Sequence, residues 1–273
     1  MALTSRTPTG IAYDRAGPAG GPPVVLIHAG VADRRMWDPL WPELTAERDA
    51  IRLDLRGFGD SGDRPAGALS PVGDVLDVLA ALGVTGPSHL VGASYGAGVA
   101  VELALAEPSS VASLLLAAPG GSLIPELTPD LRTFVEAERA ALTRGDLTAA
   151  VEANIAWWVE GPQRRGDEVD PAVRDLVRLM QRRAFELTAD WDDVEAAEAD
   201  PPALDRLGEL RAPTLVLLGA LDLRAIHAAA ARLTADVPDV RRVDWPDVAH
   251  LPSLERPSDF HALLRDWLAS RGA

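Results

Sequence analysis

The chain has 273 residues, with 26 basic and 41 acidic side chains and a formal net charge of −15. All 26 basic residues are arginine, and neither lysine nor cysteine occurs. Schiff-base and P-loop lysines, thiolate nucleophiles, disulfides and cysteine metal sites are therefore excluded, and a covalent nucleophile must come from Ser, Thr, Asp, Glu, His or Tyr. The acidic balance argues against nucleic acid or an anionic membrane as partner. No apolar run reaches the roughly 18 residues of a membrane span. The N-terminal residues Met1 to Arg6 lack the basic start and apolar core of a signal peptide. A cytoplasmic protein acting on a small molecule is the expectation.

In chain order, residues 17–23 read as a Gly/Pro-rich turn after an N-terminal hairpin. Apolar runs at 24–27, 51–55, 89–91, 111–117, 214–218 and 240–245 read as strands. Amphipathic stretches at 72–82, 97–106, 223–233 and 260–268 read as helices between or after them. In the last, Phe260, Leu263, Leu264, Trp267 and Leu268 form one helical stripe. Near-continuous Val/Leu/Ile strands alternating with helices are the pattern of an α/β fold built on a buried, mostly parallel sheet. Residues 120–210 break the rhythm. They show no strand, only helical patterns at 131–142, 147–159, 172–187 and 192–199, and they carry −10 of the net charge. This region is expected to be a helical cap, with residues 1–119 and 211–273 as the core.

The chemistry centres on Gly92-Ala93-Ser94-Tyr95-Gly96, which follows a strand and opens a helix. In that context the motif is a nucleophile elbow. The glycines remove Cβ atoms where strand and helix approach, and the helix N-terminus offers a positive dipole where an oxyanion would form. Upstream, His28-Ala29-Gly30 is followed by Trp37, nine positions after the histidine, and Asp54-Leu55-Arg56-Gly57-Phe58-Gly59-Asp60-Ser61 forms a second motif. Downstream lie Gly219-Ala220-Leu221-Asp222 and Ala249-His250-Leu251-Pro252, each after a strand. Over nearly its whole length the chain resembles the α/β-hydrolase superfamily. It departs from the usual His-Gly loop by having Ala29 where the family has glycine. The resemblance implies the α/β-hydrolase fold with the cap inserted after its sixth strand.

It also implies roles. Ser94 would be the nucleophile, His250 the base and Asp222 the acid that orients it, in the chain order Ser, Asp, His of this fold. Of the five histidines, His28 belongs to the oxyanion loop, while His89, His227 and His261 read as surface or structural. Asp222 has a competing reading as the N-cap of the helix that follows. Asp244 and Asp247 stand too close to His250 along the chain to turn back onto it. The oxyanion donors would be the backbone N–H groups of Tyr95 and Gly30. Val31 is the alternative second donor or a pocket wall residue. No organic cofactor is implied, and no metal-ligand spacing appears.

A serine nucleophile argues against the haloalkane dehalogenase and epoxide hydrolase branches, which use aspartate. Adjacent Trp157 and Trp158 cannot face the same way on one helix. One is expected to anchor the cap and the other to line an apolar acyl pocket. The acid-rich run 186–200 disfavours polyanionic substrates. The leading expectation is a serine hydrolase of a small apolar ester or lactone. A triad-bearing lyase, perhydrolase-like or cyclisation enzyme, or a receptor on the same fold, are the alternatives.

Overall fold

The computed structural model of the chain describes residues 4–197 and 199–272. Eight strands form one sheet in the order β1-β2-β4-β3-β5-β6-β7-β8. They are β1 (Ser5–Arg6), β2 (Ala12–Ala16), β3 (Val24–Ile27), β4 (Ala50–Leu53), β5 (Ser88–Ala93), β6 (Val111–Ala117), β7 (Thr214–Gly219) and β8 (Val240–Trp245). The β1–β2 hairpin and the β2–β4 pair are antiparallel, and every pair from β4 to β8 is parallel. Strands β3, β5 and β7 are buried at every position, which is why their sequences are solid rather than alternating. At the edge, β8 exposes Arg241 and Arg242, charges that discourage further strand pairing.

Strand β3 leads to β4 on one side, and the chain then returns to place β5 on the other. A crevice opens outside the carboxyl ends of the strands at such a reversal. Helix α3 (Tyr95–Ala106) follows β5 and packs on β5 and β6, with nine of its twelve residues buried. The other core helices are α1 (Trp41–Glu47), α2 (Pro71–Ala81), α7 (Arg224–Asp236), α8 (Pro252–Glu255) and α9 (Pro257–Ala269). Strand β4 stops at Leu53, short of the expected Leu55, because a turn starts at Leu55, whose carbonyl accepts from Phe58 N at 3.0 Å, and the joint before that turn is Asp54. Its carboxylate accepts from the N–H groups of Arg34 and Asp60, each at 2.8 Å, and from the Arg34 guanidinium.

Between β6 and β7 lie α4 (Pro129–Thr143), α5 (Leu147–Asn154), a π-helical segment (Ile155–Glu160) and α6 (Pro171–Leu187). They share an apolar interior that includes Leu131, Val151, Ile155, Val177 and Met180. The fourth expected helix, 192–199, does not form, and residue 198 lies outside the described residues. Leu69 instead bridges Ala196 in parallel, exchanging backbone hydrogen bonds with Glu195 and Ala197 at 2.7 and 2.8 Å. In a helix, Asp192 and Glu195 would be like charges one turn apart with no arginine in the run. The extended bridge avoids that repulsion. Among the described residues, no helix is long and apolar enough to cross a membrane.

Candidate active site

Ser94 sits at the joint of β5 and α3 with φ 51° and ψ −114°. A residue with a side chain rarely occupies that region, so the surroundings must hold it there. Its N–H donates to Ala117 O at 2.9 Å, and its carbonyl accepts from the N–H groups of Ala97 (2.9 Å) and Gly120 (3.1 Å). The flanking glycines are demanded by contact. A Cβ on Gly92 would lie 2.3 Å from Gly96 O, and one on Gly96 would lie 2.4 Å from Ile27 O. The turn thus projects the Ser94 hydroxyl at the carboxyl end of the sheet.

The loops after β7 and β8 bring two partners to it. Ser94 Oγ is 2.7 Å from His250 Nε2, and His250 Nδ1 is 2.8 Å from Asp222 Oδ2. Both partners are buried, with His250 1% and Asp222 2% exposed. An ionised carboxylate only accepts, so Nδ1–H donates to Asp222 and Nε2 is left to accept from the serine hydroxyl. The other Asp222 oxygen accepts from Leu223 N at 2.7 Å, which fixes the carboxylate plane. Asp222 does not cap the following helix through its second or third N–H, so the N-cap alternative fails on geometry. The His250 loop is pinned from behind, where Ala249 N–H donates to Glu255 Oε1 at 2.9 Å. Glu255 Oε2 accepts from Arg164 at 2.5 Å, and Arg164 also holds the carbonyls of Val159 and Glu160.

The loop after β3 completes the crevice. His28 is fully buried, and burial pushes its pKa down to about 4, against the hydrogen bond to the Ala29 carbonyl. Its Nδ1–H donates to Ala29 O at 2.8 Å and its Nε2 accepts from Leu55 N at 2.9 Å. A neutral ring thus ties this loop to the end of β4. The loop passes against the elbow, and a Cβ on Gly30 would touch Tyr95 Cβ at 3.4 Å. None of the N–H groups of Gly30, Val31 and Tyr95 meets an acceptor among the described residues. The remaining histidines stand apart. His89 pairs with Ser113 at 2.8 Å and His261 with Glu43 at 3.1 Å.

A cavity of about 340 Å³ opens over Ser94 and His250, with Gly30 and Val31 in its wall. The helices between β6 and β7 supply much of the rest: Phe134, Trp158 and Phe185, with polar Glu138, Asn154 and Gln181 among them. The Trp158 and His250 rings lie 4.4 Å apart, and Phe134 meets Trp158 edge-on at 5.2 Å. The two tryptophans diverge as their spacing requires. Trp158 faces the cavity, whereas Trp157 is half-buried against the hydrophobic core and lies outside the cavity wall. The three polar wall residues were not singled out in the sequence. A signal was present, because each interrupts an apolar stripe: Glu138 follows Leu131 and Phe134, and Gln181 falls between Val177 and Phe185.

The arrangement therefore combines a hydroxyl, an imidazole in contact with it, a carboxylate that orients the imidazole and open backbone donors beside them, a set that can serve nucleophilic chemistry. A sequence profile of the alpha/beta hydrolase family matches residues 24–263. The chain belongs to that family. One relative of this alpha/beta hydrolase is RutD of Variovorax paradoxus strain S110, named as a candidate carbamate hydrolase. It is 31% identical, with 94% of this chain and 95% of that protein covered. Among solved structures, esterase RhEst1 from Rhodococcus sp. ECU1013 superposes with a TM-score of 0.75 at 25% identity, covering 98% of each chain. Est816, described as an N-acyl homoserine lactone degrading enzyme, gives 0.72 at 27% identity, covering 94% of this chain and 96% of its own.

Proposed function

We propose that the protein is a serine hydrolase that cleaves a carboxylic ester or lactone of a small, largely apolar substrate through an acyl-enzyme on Ser94. The observation that carries this reading is the unbroken hydrogen-bond chain from Ser94 through His250 to Asp222, opening on an aromatic cavity. The three relatives described above are named for carbamate, ester and lactone chemistry. These share an acyl carbon bonded to a leaving heteroatom.

In this mechanism Ser94 Oγ attacks the acyl carbon while its proton passes to His250 Nε2. Asp222 stabilises the resulting imidazolium through Nδ1–H. The N–H of Tyr95 and that of Gly30 or Val31 hold the oxyanion, each donor contributing about 3 kcal/mol of barrier lowering. The tetrahedral intermediate collapses, and the departing alkoxide takes the proton from His250. Water then attacks the acyl carbon, giving its proton to His250, and the serine is restored with release of the carboxylic acid. Residues 120–210 act as the cap. Their aromatic side chains exclude water from the reacting atoms and so strengthen the electrostatics there.

Turnover of 4-nitrophenyl butyrate by wild type and Ser94→Ala tests the reading. A loss of at least about 10⁴-fold is expected for the variant, together with loss of fluorophosphonate labelling. Equal turnover by both proteins would refute Ser94 as the nucleophile.

A further inference from the structure

Helices α4, α5 and the long α6 each place one polar side chain in the wall of the cavity above Ser94: Glu138, Asn154 and Gln181. Asn154 has both amide hydrogens engaged. Its Nδ2 donates to Glu138 Oε1 at 2.6 Å and to Ala150 O at 3.0 Å. This holds the Glu138 carboxyl in one orientation and leaves its second oxygen without a protein partner among the described residues. Gln181 is only 5% exposed, and its Oε1 is enclosed with no donor in reach. Its amide makes no hydrogen bond among the described residues. An enclosed amide oxygen without a donor is a standing desolvation cost that an alanine or leucine would avoid.

The corner offers acceptors, Glu138 Oε2 and, because the unbonded Gln181 amide is free to turn its oxygen or its NH2 toward the cavity, Gln181 Oε1, and no arginine lines the cavity. Phe134 and Trp158 stand in the same wall, and a cation is attracted to such rings. The region that supplies these residues carries −10 of the chain's charge. Burial pushes the Glu138 carboxyl upward, so a bare carboxylate is held there at a cost that a bound cation would remove.

We propose that Glu138 and Gln181 form a subsite for a protonated amine carried by the substrate away from the scissile bond, so that the enzyme's preferred esters or lactones are amino-substituted. The proposal rests on the reading of the cavity over Ser94 as the substrate site. The ammonium N–H groups would satisfy Gln181 Oε1 and the free Glu138 oxygen, with Trp158 packing on the chain between amine and acyl carbon.

Two measurements test it. The first is kcat/KM by pH-stat for the methyl esters of hexanoic, 6-hydroxyhexanoic and 6-aminohexanoic acids and for monomethyl adipate, with wild type, Glu138→Gln and Gln181→Leu. Fluorophosphonate titration counts folded sites in each protein. Wild type should favour the amino ester over the hexanoate by tenfold or more and turn over the adipate most slowly. Each variant should lower the amino-to-alkyl ratio fivefold or more at an undiminished titrated fraction. The second is calorimetric binding of hexylammonium, 1-hexanol and hexanoate to wild type, Ser94→Ala and Glu138→Gln. Hexylammonium should bind tighter than hexanol to the first two, with the advantage lost in Glu138→Gln. Ammonium binding no tighter than hexanol, or ester hydrolysis without preference for the amine, overturns the subsite. Preferential ammonium binding with no hydrolysis of any ester supports the subsite and sinks the role of Ser94.

Discussion

The two sides of the cavity are built to opposite rules. On the sheet side the side chains at the chemistry are all held, Ser94 to His250, His250 to Asp222, Asp222 to Leu223 and the loop behind to Glu255, and only backbone N–H groups are left open. On the insert side, among the described residues, Gln181 has no partner and Glu138 keeps one oxygen free. The contrast separates what must be preset from what the substrate completes. A proton relay gains nothing from waiting, because geometry held in advance costs no reorganisation when charge develops. Recognition gains selectivity by leaving polar groups that only the right ligand satisfies.

Changes on the sheet side should be the most costly. Asp222→Asn should lower kcat by about 10⁴-fold on 4-nitrophenyl butyrate while leaving fold and KM nearly intact, because the amide can present the wrong hydrogen to Nδ1. Retention of more than a tenth of the activity would break the idea of a preset relay. Next is the buried ring behind the oxyanion loop. His28 has its pKa pushed from 6.5 to about 4 by burial. The folded state therefore binds fewer protons than the unfolded state in that window. The ring's contribution to stability is fully present above pH 6.5 and is lost as pH falls toward 4, by about 3 kcal/mol. Asp54 and Asp74, pushed up to about 6 by burial, contribute with the opposite sign in the same range. Comparison with His28→Gln isolates the histidine. In urea unfolding the variant should be penalised more at pH 7.5 than at pH 4.5, and a penalty independent of pH would contradict a neutral, buried ring.

Gly96→Ala should cost about 1–3 kcal/mol of stability, since its Cβ meets backbone at 2.4 Å with no side chain to yield. Thermal unfolding and the fraction labelled by fluorophosphonate measure it, and an unchanged value for both would mean that the elbow tolerates displacement. The smallest effect sharpens the insert side. Trp158→Ala should change the ratio of kcat/KM for butyrate over octanoate esters by roughly tenfold or less, and Trp157→Ala should leave it unchanged. Equal shifts from both would show that each ring reaches the acyl chain.

Legibility divides along the same line. The elbow was readable because Gly92, Ser94 and Gly96 fall within five residues between an apolar run and a helix, although Ile27 and Ala117, which hold it, lie far along the chain, and the parallel strands because burial on both faces leaves solid apolar runs. Three insert helices were also readable from their stripes. Their inward-facing residues were not, because neighbouring side chains on a helix differ by only about 100°. Whether Trp157 or Trp158 faces the cavity depends on the phase of the π-helical segment, which no local pattern sets. The expected helix at 192–199 failed for a related reason: Leu69, more than a hundred residues earlier, offers that segment a backbone partner.

One carboxylate, Glu255, joins the insert to the histidine loop, holding Arg164 with one oxygen and Ala249 N–H with the other. Separating that joint would strand a nearly buried charge pair, at a cost of several kcal/mol. Access to the cavity is therefore cheapest where this seam stays shut. The end of the insert carrying Arg164 and Trp158 is thereby held as a fixed wall beside the His250 ring.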